Sequence, residues 1–326
     1  MYHMKYDALT HTCFPIIIVV LIFYQVIVKM LPDTVKNDIL ARLATHDKPG
    51  RIALSTRYPF LAGTTCFARR AIRWTFTMLN PRLTRTVYSS YFPNVVSRHQ
   101  SVLMRRLGNS GPRLQQQKIT NLKLAVQKLD KLVIKPGMVF SFWHVVGRPD
   151  YRKGYVDGML LSNGQVIEGI GGGLCQLSNL LYWLLLHTPL KITEQHRHAF
   201  DVFPDSGRVL PFGSGATIMY NTIDLRVRNN TRTTVQLKLW ITEKHLKGQI
   251  LATDQILQKY HIFEKNHCFV FHKGVYYRYN EIWREESIQG NIQHVERIAT
   301  NFSPVLYKVD TDYLEKNNFH LWQVDS

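Results

Sequence analysis

The sequence predicts an α+β fold, with a sheet rich in antiparallel hairpins and a buried helix that follows a glycine-rich turn. Residues 159–162 and 165–168 flank Asn163-Gly164, a dipeptide that strongly favours a two-residue hairpin turn. Three glycines at 171–173 lead into an apolar helix at about 174–186. The predicted strands do not alternate regularly with helices, which disfavours a doubly wound parallel sheet.

Further elements flank this hairpin on both sides. Apolar residues recur at helical spacing from about Lys118 to Leu132, and Pro136-Gly137 ends that helix. A short strand is expected directly after it, at 139–142. Beyond the apolar helix we expect four more strands, the last two joined by a turn at Asn229-Asn230: 191–196, 216–220, 223–228 and 233–241.

Length and composition exclude several classes of protein. The chain has 326 residues, of which 45% are apolar and 20% charged, so it is neither disordered nor a coiled coil. Its four cysteines lie far apart without a C-x-x-C pair, which argues against a disulfide-stapled mini-protein and a cysteine zinc site. Only one segment is apolar enough to cross a bilayer, which excludes a polytopic membrane protein.

That apolar segment, residues 13–28, lies near the N-terminus. Only Pro15 and Gln25 interrupt it, and an extension to Leu31 brings it to the length of a bilayer-spanning helix. No small-residue cleavage site follows it, so we expect an uncleaved membrane anchor over 13–31 rather than a removed signal peptide. The alternative is a buried strand or helix. If the first 50 residues of this chain are not translated, the anchor is absent and we expect a cytoplasmic protein.

Positive charge is concentrated in residues 48–129. This stretch holds eleven arginines and four lysines without an acidic residue. Such asymmetry indicates an anionic membrane surface or polymer as partner, the alternative being a solvated basic face. A helix at 66–79, with Phe67, Trp74 and Met78 on one stripe, suits either a membrane face or a protein core. Nucleic acid is the least favoured partner, because no nucleic-acid-binding module is present.

Cys175 is the candidate nucleophile. It follows the glycines at the start of the apolar helix, where free backbone N–H groups and the helix dipole favour thiolate over thiol. Gln176 and those N–H groups would stabilise an oxyanion beside the sulfur. We therefore expect Cys175 to be the most reactive thiol of the protein. The alternative is a small, inert, buried cysteine.

A thiol catalyst also needs a base and a group that orients it. Glu194, His196 and His198 alternate onto one face if their segment is extended, and Asp224 lies in a later strand. The hypothesis assigns His196 or His198 as the base and Glu194 or Asp224 as the orienting carboxylate. A zinc site on the two histidines is an alternative, although nothing in the sequence fixes a third ligand. We expect neither a metal nor a cofactor.

Substrate contacts are expected around the same cysteine. The glycines would let a substrate approach the backbone closely, and two aromatic residues would line a cleft beside the sulfur. Ordinary core packing is the alternative for the aromatic residues. The predicted substrate-binding residues are Gly171, Gly172, Gly173, Gln176, Ser178, Trp143 and Tyr155.

Five unusual strings occur in order in this part of the chain. They are Pro136-Gly-Met-Val-Phe-Ser-Phe-Trp143, Tyr155-x-Asp-Gly158, Gly171-Gly-Gly-Leu-Cys-Gln-Leu-Ser178, Glu194-x-His196-x-His198 and Asp224-Leu-Arg226. Together they resemble the VanW family. The resemblance is densest over 118–245, and Met138 stands where the family usually has an acidic residue.

The resemblance implies a role at the bacterial cell envelope that is connected with glycopeptide (vancomycin) resistance. It supplies no catalytic residue, so two functions stay open. The first is a peptide hydrolase or transpeptidase that uses Cys175 on cell-wall peptides. The second is a non-catalytic module that binds a cell-wall polymer or a membrane-associated partner.

Four regions are expected along the chain. Residues 1–50 form an N-terminal extension with the anchor, and 51–117 form a basic, partly helical region. The VanW-like α+β domain spans 118–245. The C-terminal region, 246–326, packs on the core of that domain.

Overall fold

Six α-helices and thirteen strands make up the described part of the chain, which confirms the α+β class. The structure is a computed structural model that describes residues 31–46, 62–84, 86–104, 112–162, 164–205 and 209–324. The predicted anchor, apart from Leu31, lies outside these ranges. None of the helices within them is long and apolar enough to cross a membrane. The helices are α1 Asp33–His46, α2 Ala62–Met78, α3 Pro112–Leu129, α4 Phe142–Val146, α5 Cys175–Leu186 and α6 Thr311–Lys316.

The strands form two larger sheets, a smaller sheet and a hairpin. The two four-stranded sheets have the orders β1-β9-β8-β2 and β12-β11-β10-β13, and β3-β7-β6 and β4-β5 are separate. Every pair of neighbours is antiparallel except β10 and β13, which are parallel. The strands are β1 Asn94–Val102, β2 Val133–Ile134, β3 Val139–Ser141, β4 Asp157–Ser162, β5 Gln165–Ile170, β6 Lys191–Glu194, β7 Arg226–Arg228, β8 Val235–Ile241, β9 His245–Ala252, β10 Gln258–His272, β11 Val275–Ile288, β12 Asn291–Pro304 and β13 His320–Gln323.

Helix α5 lies at the centre of the main core. Its leucines are buried on several sides, as expected for a helix that is apolar almost all round. It packs against β1 and β9, and Gly248 in β9 leaves room for it, because a Cβ there would lie 2.7 Å from Leu184. Each buried leucine contributes about 1.5–3 kcal/mol to the free energy of unfolding.

The core extends beyond the predicted VanW-like domain. β1 and β9 are neighbours in one sheet with β8, although β1 belongs to the predicted basic region. Ile262, Ile282 and Ala299, from β10, β11 and β12, are buried in the same core as α5. The regional boundaries themselves stay predictions.

Local sequence signals predicted several elements correctly. The β4–β5 hairpin pairs as far as Ser162 and Gln165, and Gly164 has the positive φ (+77°) that a two-residue turn requires. Helix α5 spans the predicted apolar run almost to the residue. The predicted strand 139–142 ends one residue early, because the Ser141 hydroxyl accepts a hydrogen bond from the His144 N–H and caps α4.

Three of the four strands predicted after α5 are present as β6, β7 and β8, but three details of that prediction were wrong. Residues 216–220 form no strand, because the N–H and carbonyl of Ala216 bond to the Asn179 and Ser178 side chains of α5, and only an isolated bridge from Met219 to Ile223 remains. β7 and β8 are not a hairpin, because β7 pairs with β3 and β6. β6 ends at Glu194, so the histidines that follow it do not lie on a strand.

The glycine-rich turn is packed directly against β4. A Cβ on Gly172 would lie 2.1 Å from the carbonyl carbon of Gly158, and one on Gly173 would lie 2.0 Å from the side chain of Lys118. Asn121, fully buried on α3, donates to the carbonyls of Gly172 and Val156, at 2.9 Å each. The turn therefore needs glycine so that two backbone segments of this chain can touch.

We expect Gly172→Ala to lower the free energy of unfolding by about 3 kcal/mol or more, because its Cβ would overlap the Gly158 backbone. Denaturant unfolding of the purified variant measures this. Gly137→Ala is the control: it places a Cβ in open space at φ +77°, so only backbone strain of about 1–2 kcal/mol is expected. Equal losses in the two variants would contradict the close approach.

Candidate functional site

The Cys175 thiol is held inside the fold. Its side chain packs against the main core, and its Sγ lies 3.8 Å from the carbonyl oxygen of Ile218, to which it donates. Burial raises the pKa of this thiol, although we expected the helix dipole to lower it. Removal from water disfavours the thiolate and therefore opposes the effect expected from the helix start.

The polar residues predicted to bind substrate around Cys175 bond to the fold itself. Gln176 donates to Ser101 Oγ at 2.9 Å and to the Val102 carbonyl at 2.7 Å, which ties the start of α5 to β1. Ser178 is fully buried and donates to the Ala216 carbonyl at 2.6 Å. The side-chain donors of Gln176 and Ser178 are thus already bonded to the protein, and they are not directed at an oxyanion beside the sulfur.

The predicted aromatic contacts also lie in the core. Trp143 is buried, donates from Nε1 to the Ile223 carbonyl at 2.9 Å, and packs edge-on against Tyr220. Tyr155 is almost completely buried, and burial raises its pKa to about 12. With the glycines occupied by Gly158, Lys118 and other parts of the chain, the whole predicted substrate-binding set contacts the protein itself.

Asp224, one of the two predicted orienting carboxylates, is fully buried and satisfied. Its Oδ2 accepts hydrogen bonds from Ser141 Oγ at 2.6 Å and Arg226 Nε at 3.0 Å. Its Oδ1 accepts from the backbone N–H groups of Trp143 at 3.1 Å and Leu225 at 2.9 Å. Through these hydrogen bonds, one negatively charged carboxylate links β3, α4 and β7.

Glu194, the other predicted carboxylate, lies beside Asp224. Its Oε1 accepts from the Asp224 N–H at 3.0 Å and from the Arg73 guanidinium, and its Oε2 lies 3.3 Å from Arg226 Nε. His196 Nε2 lies 3.3 Å from the same Oε1, so the structure brings this predicted pair together. Within the described chain, no hydrogen bond joins Cys175 to either histidine.

Arg73 is a member of this network that the sequence did not reveal. It comes from α2, and it also donates to the Thr222 carbonyl at 2.9 Å. Arg226 in turn donates to the Thr77 hydroxyl at 2.7 Å. The network therefore attaches α2 to the small sheet through charge-assisted hydrogen bonds. Among the described residues, no group of three or more His, Cys, Asp and Glu side chains is arranged to hold a metal ion.

His198 lies in a different place, on a surface cavity of about 360 Å³. Helix α1, the segment after β6 and the end of β12 form its walls. Within the described chain its lining carries four basic side chains and no carboxylate. The lining residues are Arg42, His46, Arg197, His198, Ala199, Phe200, Thr300, Asn301, Phe302, Ser303 and Pro304.

The basic side chains of this cavity are held in place by the surrounding fold. Arg42 Nε donates to Asp38 at 2.9 Å, and Arg197 Nε donates to the Gly213 carbonyl at 3.0 Å. The His46 ring packs edge-on against Phe302, with ring centroids 6.0 Å apart. His198 is exposed as a whole, and partial covering of its ring by surrounding protein lowers its pKa below the ordinary value.

Asn301 contributes an unsatisfied acceptor to the cavity lining. Its Nδ2 donates to the Phe212 carbonyl at 3.0 Å and to Asn280 Oδ1 at 2.6 Å. Its Oδ1 is buried without a hydrogen-bond partner in the described part of the chain. Arg42 and His46 lie one turn apart on α1, but Asn301 is far from them in the sequence and no motif links the three, so no local pattern indicates this cavity.

Comparisons with known proteins place the chain in a family. A family model described as VanW like protein matches residues 117–251. The vancomycin B-type resistance protein VanW of Enterococcus faecalis is 37% identical over 195 residues, which cover 59% of this chain and 71% of that protein. The chain belongs to the VanW family.

A second relative is less similar. The uncharacterized protein YoaR of Bacillus subtilis is 32% identical over 109 residues, covering 33% of this chain and 34% of that protein. No solved structure matches the chain. Met138, where the VanW family usually has an acidic residue, packs against the main core.

Cys175 is expected to resist thiol labelling in the folded protein, because its side chain is partly buried and its raised pKa keeps the thiol protonated. The test uses a full-length Cys13→Ser, Cys66→Ser variant, which leaves Cys175 and the buried Cys268. A chromogenic disulfide reagent at mildly alkaline pH should label these two thiols only after unfolding. Val209→Cys, placed at an exposed position in the same background, is the labelling control. Labelling of Cys175 as fast as the control would contradict the burial.

Asp224→Asn is expected to lower the free energy of unfolding by about 3 kcal/mol, because it removes the charge that two side chains and two N–H groups share. Denaturant unfolding provides the measurement. Asp254→Asn, the same substitution at an exposed position, should change stability by no more than about 0.5 kcal/mol. Equal stability of both variants would show that the carboxylate network does not hold the fold.

Proposed function

We propose that this protein is a non-catalytic accessory protein of the bacterial cell envelope that binds cell-wall peptides through their terminal carboxylate. The basic cavity lined by Arg42, His46, Arg197 and His198 is the proposed binding site. By its name, the Enterococcus faecalis relative acts in vancomycin resistance, and we extend that setting to this chain.

The chemistry of the cavity lining is the observation that carries this proposal. Two guanidinium groups and two imidazoles surround a volume of about 360 Å³, which lies in the range of small-ligand sites. Arginine suits carboxylates because its planar fork can donate two parallel hydrogen bonds. The apolar side chains of Phe200, Phe302 and Pro304 offer surface to small side chains such as alanine.

A thiol enzyme is supported less well. The Cys175 sulfur is hydrogen-bonded to Ile218 and its pKa is raised, whereas a nucleophilic thiol needs a base within hydrogen-bond reach. His196 Nε2 lies 3.3 Å from Glu194, His198 lines the basic cavity, and neither is hydrogen-bonded to the sulfur in the described part of the chain. Peptide hydrolysis or transpeptidation by Cys175 therefore stays the alternative.

We expect a muramyl pentapeptide with a free C-terminus to bind, and Arg42→Gln to weaken its binding about tenfold, since a charge-assisted hydrogen bond is lost. Calorimetric titration of the full-length protein measures the affinity. Arg152→Gln, at an exposed arginine away from the cavity lining, is the matched control and should bind normally. A peptide with an amidated C-terminus should bind at least tenfold more weakly than the free acid. Equal binding of both peptides would contradict carboxylate recognition.

The same titration carried out across pH gives a second readout. Neutral His198 gains a proton as pH falls through its lowered pKa, so the cavity becomes more positive and affinity should rise below neutral pH. Arg42, His46 and Arg197 are the other charged or titratable groups of the lining. His198→Gln should remove its share of this rise. If the protein instead cleaves the peptide, and the Cys175→Ser variant does not, the catalytic alternative is established.

A further inference from the structure

Helix α2 presents its two sides in the reverse of the usual arrangement. A surface helix of a soluble protein normally buries its apolar stripe and exposes its charges. In α2, the Arg73 guanidinium bonds to Glu194 and Thr222, and Thr77 is buried against Arg226. The polar side of the helix therefore faces the rest of the protein.

The apolar side of α2 faces outward. Six large apolar side chains in and directly after the helix are each more than half exposed: Phe67, Ile72, Trp74, Phe76, Met78 and Leu79. Their positions follow two helical stripes, one through Phe67, Trp74 and Met78 and another through Ile72, Phe76 and Leu79. Together the stripes cover about half the circumference of a helix that is roughly 25 Å long.

The charge around this surface indicates what covers it. Helix α2 has no acidic residue, and none occurs anywhere in residues 48–129, which hold fifteen basic residues. Arg70 is exposed one turn from both Phe67 and Trp74. Exposed Trp and Phe bordered by arginine is the pattern of a helix that lies in the headgroup region of an anionic bilayer.

We propose that α2 docks the protein on an anionic lipid bilayer. The helix lies parallel to the membrane, between the bilayer and the small sheet, with its apolar side among the acyl chains and its polar side bonded to Glu194, Thr222 and Arg226. The network around Glu194 sets the orientation of the domain on the membrane. This inference concerns a surface separate from the cavity lining and does not depend on the peptide-binding proposal.

The test places an environment-sensitive fluorophore on Phe76→Cys in the full-length Cys13→Ser, Cys66→Ser variant. Phosphatidylcholine vesicles with about 30% phosphatidylglycerol, carrying brominated acyl chains that quench the label, serve as the membrane. We expect strong quenching at position 76 and none at the matched control, Val209→Cys. Raising salt from about 0.1 M to about 1 M should lower the affinity for the vesicles, because screening shortens from about 10 Å to about 3 Å, but it should leave the label on bound protein quenched, because apolar insertion does not depend on charge. Arg70→Gln should weaken binding about fivefold.

Three results would overturn the proposal. If the vesicles bind the protein without quenching at position 76, another part of the chain, such as residues 13–28, holds the membrane. A label at position 76 that is already shielded without vesicles would show that this chain or a second copy covers the helix. Equal quenching by pure phosphatidylcholine would show that charge has no part in the docking.

Discussion

Asp224 carries a negative charge in the interior, and much of the surrounding structure is arranged to satisfy it. Burying a carboxylate without partners costs several kcal/mol, so Ser141, Trp143 and Arg226 have to meet at this point. Those residues belong to β3, α4 and β7, which are short elements of three to five residues each. Through Arg226 and Glu194, the same requirement extends to α2.

The glycine-rich turn before α5 is a sequence pattern that is compatible with two different structures. A glycine is needed wherever another group touches the backbone, and the approaching group can be a substrate or the chain itself. Here Gly158 and the Lys118 side chain fill the space beside the glycines. The cysteine that follows is drawn into the core with α5, because the helix is apolar on nearly every side. Its environment is then governed by packing more than by the helix dipole.

The sequence predicted those parts of the fold that depend on neighbouring residues. The Asn163-Gly164 turn and the α5 apolar run are local signals, and both elements lie where they were expected. The predicted strand at 216–220 does not form, because the backbone groups of Ala216 bond to side chains of α5 and not to a neighbouring strand. No local pattern shows that Arg73 will meet Glu194, or that Arg42 and Asn301 will line one cavity. Those contacts depend on the packing of elements that are far apart in the sequence.

Strand β1 has a consequence for how the protein is made. Its partner β9 follows late in the chain, with Asn94 and Ala252 paired across 158 residues. At a synthesis rate of about 5–20 residues per second, β1 leaves the ribosome roughly 8–30 s before that partner exists. Throughout this interval its backbone N–H and C=O groups are open to other extended chains. The central sheet is thus completed only after translation has passed residue 252, and the nascent N-terminal half depends on chaperones or on its own positive charge to stay apart from its neighbours.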